Sequence, residues 1–296
     1  MGRALARGLV MARPRIEPVT AANVEAFCTF LHKNLNPALS IEALRAGLTR
    51  SWHVSAPNHG FVLMDGQEIV GGIGAIYAER PLQGIPTRIC NITGWCVLES
   101  HRAQSMRLAM AIVAQEGWHF TDLSPTKVVG AMLRFLKFQV LDEREVVLPN
   151  LPWLPAPWAP RVLQRPEHIE KVLAGEALQA YRDHRDFPWL GQIAVGTRSS
   201  WCHVVYKRGQ YKGMPAARIL HLDQPATFVR SWRRVGSHLL GRGMFSTHVE
   251  ARRLGAGPMP WPSAVRSGFN PKMYRSDQLT SDQIDLLYSE AVALDL

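Results

Sequence analysis

Residues 91–122, NITGWCVLESHRAQSMRLAMAIVAQEGWHFTD, decide how this chain folds. The apolar run that ends at Val97 reads as a strand. A polar turn follows and opens directly into a helix over 105–115, with Met106, Leu108, Ala109, Ile112 and Val113 on one side. A short strand, 118–123, comes next. Backbone N–H groups at a helix N-terminus lack intrahelical partners, and the helix dipole adds partial positive charge. Strand–turn–helix is therefore an anion site in outline. Arg102, Gln104, Ser105 and Arg107 surround the opening with further donors, and a pyrophosphate is a natural guest. The pattern alone has low specificity, because most such turns meet only water.

Upstream, 15–19 reads as a strand, and 21–33 and 41–51 as helices. Val24, Phe27, Phe30 and Leu31, then Leu44 and Leu48, recur at helical spacing, and Ser40 is placed to cap the second helix. Strands 60–64 and 68–79 flank Asp65-Gly66, a hairpin turn signal. A loop, 81–86, leads into strand 88–99. Downstream, 124–137 reads as a helix capped by Ser124, with Val128, Val129, Met132, Leu133 and Leu136 on its apolar side. Strand 138–148 ends this half.

Residues 150–166, NLPWLPAPWAPRVLQRP, read as a linker, because proline removes the donors that helices and central strands need. Trp153 and Trp158 either pack it down or line a ligand groove. The second half reads as helix 166–183, strands 190–196, 200–207 and 216–223, helix 227–240, strand 244–254 and a last helix 281–294. Its strand, turn, basic helix and strand follow the order of 88–123. That suggests a diverged internal repeat at an offset of roughly 125 residues.

The chain has 296 residues, room for one large domain or two ordinary ones, and its apolar content of 47% can build a sizeable core. The expected division is a disordered basic tail 1–13, a first domain 14–149, the linker 150–166 and a second domain 167–296. The tail, MGRALARGLVMAR, lacks the long apolar region of a signal peptide, and Met11 is an alternative start. No apolar run approaches the ~20 residues that span a membrane. Cys28, Cys90, Cys96 and Cys202 form no CxxC pair and suggest no zinc, so reduced thiols, no metal and a cytoplasmic location are expected. The net charge of +10 favours anionic partners. Its arginines (Arg230, Arg233, Arg234, Arg242, Arg252, Arg253) are dispersed and read as a solvated basic surface.

Residues 91–122 resemble motif A of the GNAT acyl-CoA transferases, in which a strand ending V-x-P meets R/Q-x-x-G-x-G/A at the start of a helix. Arg102 matches the first motif position, and Val97 the strand valine beside the thioester arm. Residues 120–138 resemble the strand and helix that follow in that family, and Phe138 matches the closing aromatic. The resemblance implies an α/β (α+β) fold: a central mixed, mostly antiparallel sheet flanked by helices, followed by a second, degenerate GNAT-like domain. It also implies acetyl-CoA or another acyl-CoA as co-substrate, held by Val97, Arg102, Ala103, Gln104, Ser105, Met106 and Arg107. The reaction implied is direct attack of an amine or hydroxyl of a small molecule or sugar on the thioester.

The sequence departs from that pattern. Ser105 and Arg107 stand at the two glycine positions, Leu133 at the tyrosine that protonates the leaving thiolate, Thr126 at the asparagine and Lys137 at the glycine before Phe138. Asn91 falls where some relatives place a glutamate base, and an amide takes no proton at neutral pH. Substitutes near the cleft are Asp122, Glu99, His101 and His119. Asp122 is the best placed; its competing role is a carboxylate at the first turn of the next helix. His203 and Tyr206 on a later strand either face the cleft or pack. Two other readings fit the same residues. One is a FemABX-type transferase that uses aminoacyl-tRNA, which the charge and the suspected doubling favour. The other is a non-catalytic degenerate GNAT binding or regulatory protein, which the missing tyrosine and glutamate favour.

Overall fold

The computed structural model describes residues 13–154, 156 and 158–295. Apart from Arg13, the expected basic tail lies outside them. In chain order the first half has β1 (Arg15–Pro18), α1 (Val24–Asn34), α2 (Ile41–Leu48), β2 (Ser51–Trp52), β3 (Gly60–Asp65), β4 (Glu68–Leu82) and β5 (Ile85–Val97). Then come α3 (Ser105–Val113), β6 (His119–Asp122), α4 (Lys127–Phe135), β7 (Gln139–Leu141) and β8 (Glu145–Pro149). The second half has β9 (Arg161–Leu163), α5 (Pro166–Ile169), α6 (Gly175–His184), β10 (Leu190–Thr197), β11 (Ser200–Tyr211) and β12 (Met214–Leu222). It ends with α7 (Pro225–Leu240), β13 (Ser246–Glu250), β14 (Ala264–Arg266), β15 (Lys272–Arg275) and α8 (Glu290–Ala293).

Local chemistry explains the elements that match expectation. The Ser40 hydroxyl accepts from the Ala43 N–H and starts α2. Gly66, at φ 60°, turns β3 into β4. Lys137 adopts φ 63°, the left-handed conformation of the glycine it replaces.

Elsewhere the structure corrects the reading. The expected loop 81–86 is a two-residue turn: Pro81 pairs with Pro86 and Leu82 with Ile85, while Gln83 and Gly84 both take positive φ. Ser124 does not cap α4. Thr126 does, accepting from the Val129 N–H at 3.2 Å. The helix expected over 166–183 breaks over 170–174, and α6 restarts at Gly175, which has φ 53°. The one expected over 281–294 is a 3-10 turn, Ser281–Gln283, an extended stretch and the single turn α8.

The strands form two sheets. One runs β1-β3-β4-β5-β6-β15-β7, with β2 on β4; the other runs β14-β8-β13-β12-β11-β10-β9. Along each strand order the pairing is antiparallel except at one step, and the short β2 adds a parallel pairing on β4. In the first sheet β5 lies parallel to β6 with α3 as crossover; in the second β12 lies parallel to β13 with α7 as crossover. Each sheet also holds a strand from the other half of the chain. The expected strand 138–148 breaks at 142–144: β7 stays in the first sheet, whereas β8 crosses to pair with β13 in the second. In return β15 inserts between β6 and β7. The sheet boundaries therefore do not follow a cut at residue 150.

Apolar side chains fill three kinds of layer. Leu108, Ile112, Leu133 and Phe138 pack α3 and α4 on the first sheet, and Phe228, Trp232, Val235 and Leu239 pack α7 on the second. Between the sheets lie Ile76, Ala78, Val205, Leu220 and the C-terminal Leu286, Leu287, Tyr288 and Val292. One ion cluster crosses that layer. Arg80 of β4 holds Asp285 at 3.1 Å, and His221 of β12 holds the same carboxyl at 2.8 Å. Trp153 is half-buried, but Trp158 is exposed and packs nothing down.

Candidate active site

The site begins with an opening between two neighbouring strands. β5 and β6 pair over Ile89↔His119, Cys90↔Phe120 and Asn91↔Thr121. Beyond that point β6 ends at Asp122, while β5 continues to Val97 on its β4 side. Among the described residues, no strand pairs with the β6 side of Ile92–Val97. The cause is a bulge. Cys96 faces Gly72 and Thr93 faces Gly74, so Gly94 and Trp95 together oppose Ile73. Gly94 takes φ 57°, and the extra residue bends β5 away from β6. A side chain at Gly94 would meet strain from that φ and a Cβ only 3.1 Å from Leu31. The bulge leaves a row of backbone amides and carbonyls facing the gap.

The helix opening differs from its expected form. A 3-10 turn, Glu99–Gln104, runs straight into α3, and the Ser105 N–H donates to the Arg102 carbonyl. The helical run thus starts about a turn earlier than expected, and the N–H groups of Glu99 and Ser100 precede its first bond. Ser105 is buried. Arg107 turns away from the opening and donates to the Pro14 carbonyl at 2.9 Å and to Gln104 Oε1 at 3.0 Å. Met106 is half-buried and Ala103 exposed. Arg102 is the accessible cation, its guanidinium 2.6 Å from Glu99 in an exposed pair. Of the residues expected to cradle phosphate, Arg102 stays exposed in its pair with Glu99, Ser105 is buried, and Arg107 is bonded to Pro14 and Gln104.

Asn91 and Asp122 come together where the strands part; Glu99 does not, being exposed and paired with Arg102. His101 bonds Asp65 at 3.2 Å, and His119 bonds Ser276 at 2.8 Å. His203 is buried and bonded to Gln192 at 2.8 Å, and Tyr206 lies in the core of the second sheet. Asp122 is 4% exposed at a strand end, and α4 starts at Lys127, so it does not serve the first turn of that helix. Burial, and then the charge of Glu290, push its carboxyl well above the usual range.

Glu290 was not anticipated. It enters from α8, is 2% exposed, and accepts from the Asn91 side-chain amide and, at 2.7 Å, from the Ser124 hydroxyl. The Thr121 hydroxyl donates to Asn91 Oδ1 at 3.0 Å, which turns the amide N–H toward Glu290. Burial raises the Glu290 carboxyl, and the bonds from Ser124 and Asn91 offset part of that rise. A lone acidic residue in the apolar run 286–294 was the available signal, since carboxylates are seldom buried without a partner.

Ser124 is exposed and opens into a cavity of about 520 Å³ between the two sheets. Its other walls include Arg218, Glu145, His248, Glu250 and Lys272. His248 bonds Glu145 at 2.9 Å, and Lys272 pairs with Glu250. Arg266 stacks over Tyr211 and Phe269, 4.8 and 4.9 Å from their ring centres. Among the described residues no group of His, Cys, Asp and Glu side chains is arranged to hold a metal ion, and no helix is long and apolar enough to cross a membrane.

A sheet parted at the parallel β5–β6 step, beside a bulged strand and a crossover helix, is a fold that this chain shares with solved GCN5-related N-acetyltransferases. No protein-family model matches the sequence, and no curated protein does. Solved structures do. A GCN5-related N-acetyltransferase from Anabaena variabilis aligns over 89% of this chain and 72% of its own, with a TM-score of 0.59 at 13% identity. A probable N-acyltransferase of unknown function from Enterococcus faecalis aligns over 90% and 74%, with a TM-score of 0.57 at 11% identity. A GCN5-related N-acetyltransferase from Kribbella flavida aligns over 90% and 72%, with a TM-score of 0.56 at 14% identity. At such identities the likeness is one of fold.

Proposed function

We propose that this protein is an acyl-CoA-dependent acyltransferase that moves an acetyl or other acyl group to an amine or hydroxyl of a small molecule or sugar. The observation that carries this reading is the opening between β5 and β6. The unpaired edge of Ile92–Val97 offers backbone groups to the amides of the pantetheine arm, and N–H groups there suit the oxyanion that forms when a thioester is attacked. The fold neighbours from Anabaena variabilis and Kribbella flavida, both described as N-acetyltransferases, favour the same chemistry. In this reading Arg102 takes the phosphates, with the start of the helical run at Glu99 and Ser100 beside it. Val97 lines the arm, and Ala103 and Gln104 border the cofactor.

The parallel steps β5–β6 and β12–β13, each bridged by a helix, support reading the chain as two copies of one unit with an exchanged strand. The copies then have different tasks. In the second, the corresponding gap is closed from two sides: the Leu286 N–H of the C-terminal segment donates to the Leu220 carbonyl at 3.3 Å, and Arg253, in the 3-10 turn after β13, donates to the Leu222 carbonyl at 2.9 Å. The first opening is thus the one assigned to acyl-CoA, and the second copy shapes the acceptor side.

Calorimetric titration with acetyl-CoA and longer acyl-CoAs tests the proposal. Micromolar binding that weakens roughly ten- to a hundredfold in Arg102→Ala is expected, since a charge-assisted phosphate contact is worth about 1.5–3 kcal/mol. No binding of any acyl-CoA sinks the reading. Binding of tRNA instead would point to an aminoacyl-tRNA-dependent transferase.

A further inference from the structure

We infer that Ser124 and Glu290 form a two-residue proton path that serves an acceptor seated in the cavity between the sheets. The inference rests on the acyl-transfer reading and supplies the base that the central strand lacks. Asn91 has no basic atom, yet its amide anchors the carboxylate of Glu290 at the point where β5 and β6 part. The carboxylate itself is sealed from solvent, at 2% exposure. Its route outward is Ser124, whose hydroxyl is 2.7 Å from Glu290 Oε1 and whose residue lines the 520 Å³ cavity.

The two halves of this arrangement need each other. A buried carboxylate that accepts hydrogen bonds from Asn91 and Ser124 is organised as an ionised acceptor, while burial raises its proton affinity toward that of a useful base. A serine at the cavity wall touches the nucleophile but cannot hold a second proton; with a carboxylate behind it, it passes one on. Ser124 is the residue that meets the acceptor, and Glu290, acting through it, receives the proton.

The acceptor nitrogen or oxygen forms a bond to the thioester carbonyl carbon. Its proton moves to Ser124 Oγ as the Ser124 proton moves to Glu290 Oε1. The carbon–sulfur bond then breaks, and the thiolate takes a proton from solvent as coenzyme A leaves. Glu290 returns its proton to solvent through Ser124 when the product has gone. Atoms and charge are conserved, and no oxidant or reductant is needed.

Gly209 offers an independent handle on the cavity. It lines the wall, and a Cβ added there meets nothing within 4 Å. A large side chain at this position fills the acceptor space without disturbing the packed core.

The test uses the full chain, acetyl-CoA, and ethanolamine, glycine and glucosamine as acceptors, with thiol release and calorimetric acetyl-CoA affinity as readouts. Wild-type kcat is expected to fall with decreasing pH as the Glu290 carboxyl, raised by burial and faced by Asp122 of β6 and Lys272 of β15, takes a proton. Glu290→Gln keeps acetyl-CoA affinity within about twofold, loses about 10²–10⁴-fold in kcat, and loses that acid limb. Glu290→Asp restores part of the rate, and Ser124→Thr restores what Ser124→Ala removes. Gly209→Phe raises the acceptor KM and leaves acetyl-CoA affinity intact. Glu290→Gln or Ser124→Ala turning over at the wild-type rate with the wild-type pH limb overturns the proton path. A wild-type protein that binds no acyl-CoA overturns the acyl-transfer reading itself, and the calorimetry tells the two failures apart.

Discussion

Replacing Asp285 with alanine leaves Arg80 buried beside an empty carboxylate position, and the cost can be worked from the geometry. Arg80 reaches both Asp285 oxygens at 3.1 Å, and His221 adds a bond at 2.8 Å. The Arg80 and Asp285 side chains are 7% and 4% exposed, so solvent compensates neither once its partner is gone. Removing one member of a buried pair costs about 3–5 kcal/mol. That is a large part of the roughly 5–15 kcal/mol that holds a domain folded. Arg80 and His221 come from different sheets, so the loss falls on their junction. In a thermal melt, Asp285→Ala is expected to lower Tm by roughly 6–15 °C. The double variant Arg80→Met/Asp285→Leu should recover most of it, because an apolar pair of similar volume is often neutral. The pH dependence gives a second reading. Burial alone would raise the Asp285 carboxyl, but Arg80 and His221 outweigh it and hold the group well below the usual range. The unfolded chain then binds the proton more readily, near pH 3.9, so the contribution is complete above that pH and fades as pH falls toward the folded pKa. The Tm gap between wild type and Asp285→Ala should narrow in acid. A single variant within about 1 kcal/mol of wild type at pH 7, or a gap independent of pH, refutes the account.

Three further outcomes are expected. A Cβ at Gly47 would lie 2.3 Å from Leu294 Cδ2 and 3.1 Å from the Ala293 carbonyl oxygen, so Gly47→Val should lift α8 off α2 and carry Glu290 with it. Acyl transfer falls while far-UV circular dichroism stays near wild type; unchanged activity would show that α8 does not need this seat. Lys137→Gly relieves the left-handed strain and should stabilise by up to about 1 kcal/mol in a denaturant titration, less the backbone entropy glycine adds. A fragment ending at residue 150 lacks β15 and α8 and leaves β8 without β13, so it should show no cooperative unfolding transition; a sharp one would mean that the first half folds alone.

How much of this was readable in advance depends on the range over which each signal acts. Caps and turns are local, so Ser40, Asp65-Gly66 and the strand–turn–helix of 91–122 appear where their residue types place them. The register of a strand is not local. Residues 138–148 carry one apolar run, and nothing in its composition marks 142–144 as a crossing between sheets. The bulge at Gly94 is half visible: a glycine inside a strand marks a bulge or a close approach, but the residue opposite it is set by pairing with β4. The missing free donors of Ser105 and Arg107 lay outside the motif altogether, because they depend on a 3-10 turn upstream and on the carbonyl of Pro14.

The exchanged strands tie these points to the site. β15 lies against β6 with Met273 opposite Asp122 and Tyr274 opposite Thr121, so the edge of the opening is held by a segment from the far end of the chain. The same segment goes on through Asp285, which locks the sheets, to Glu290, which sits at the opening. A first half folded by itself would carry Asn91 and Ser124 but neither the strand that steadies β6 nor the carboxylate behind Ser124. On the proposed proton path, the erosion of the motif at the central strand follows from architecture: a base on the strand is dispensable if the C-terminal segment delivers one to the same place, and the site then assembles only when both sheets have closed on that segment.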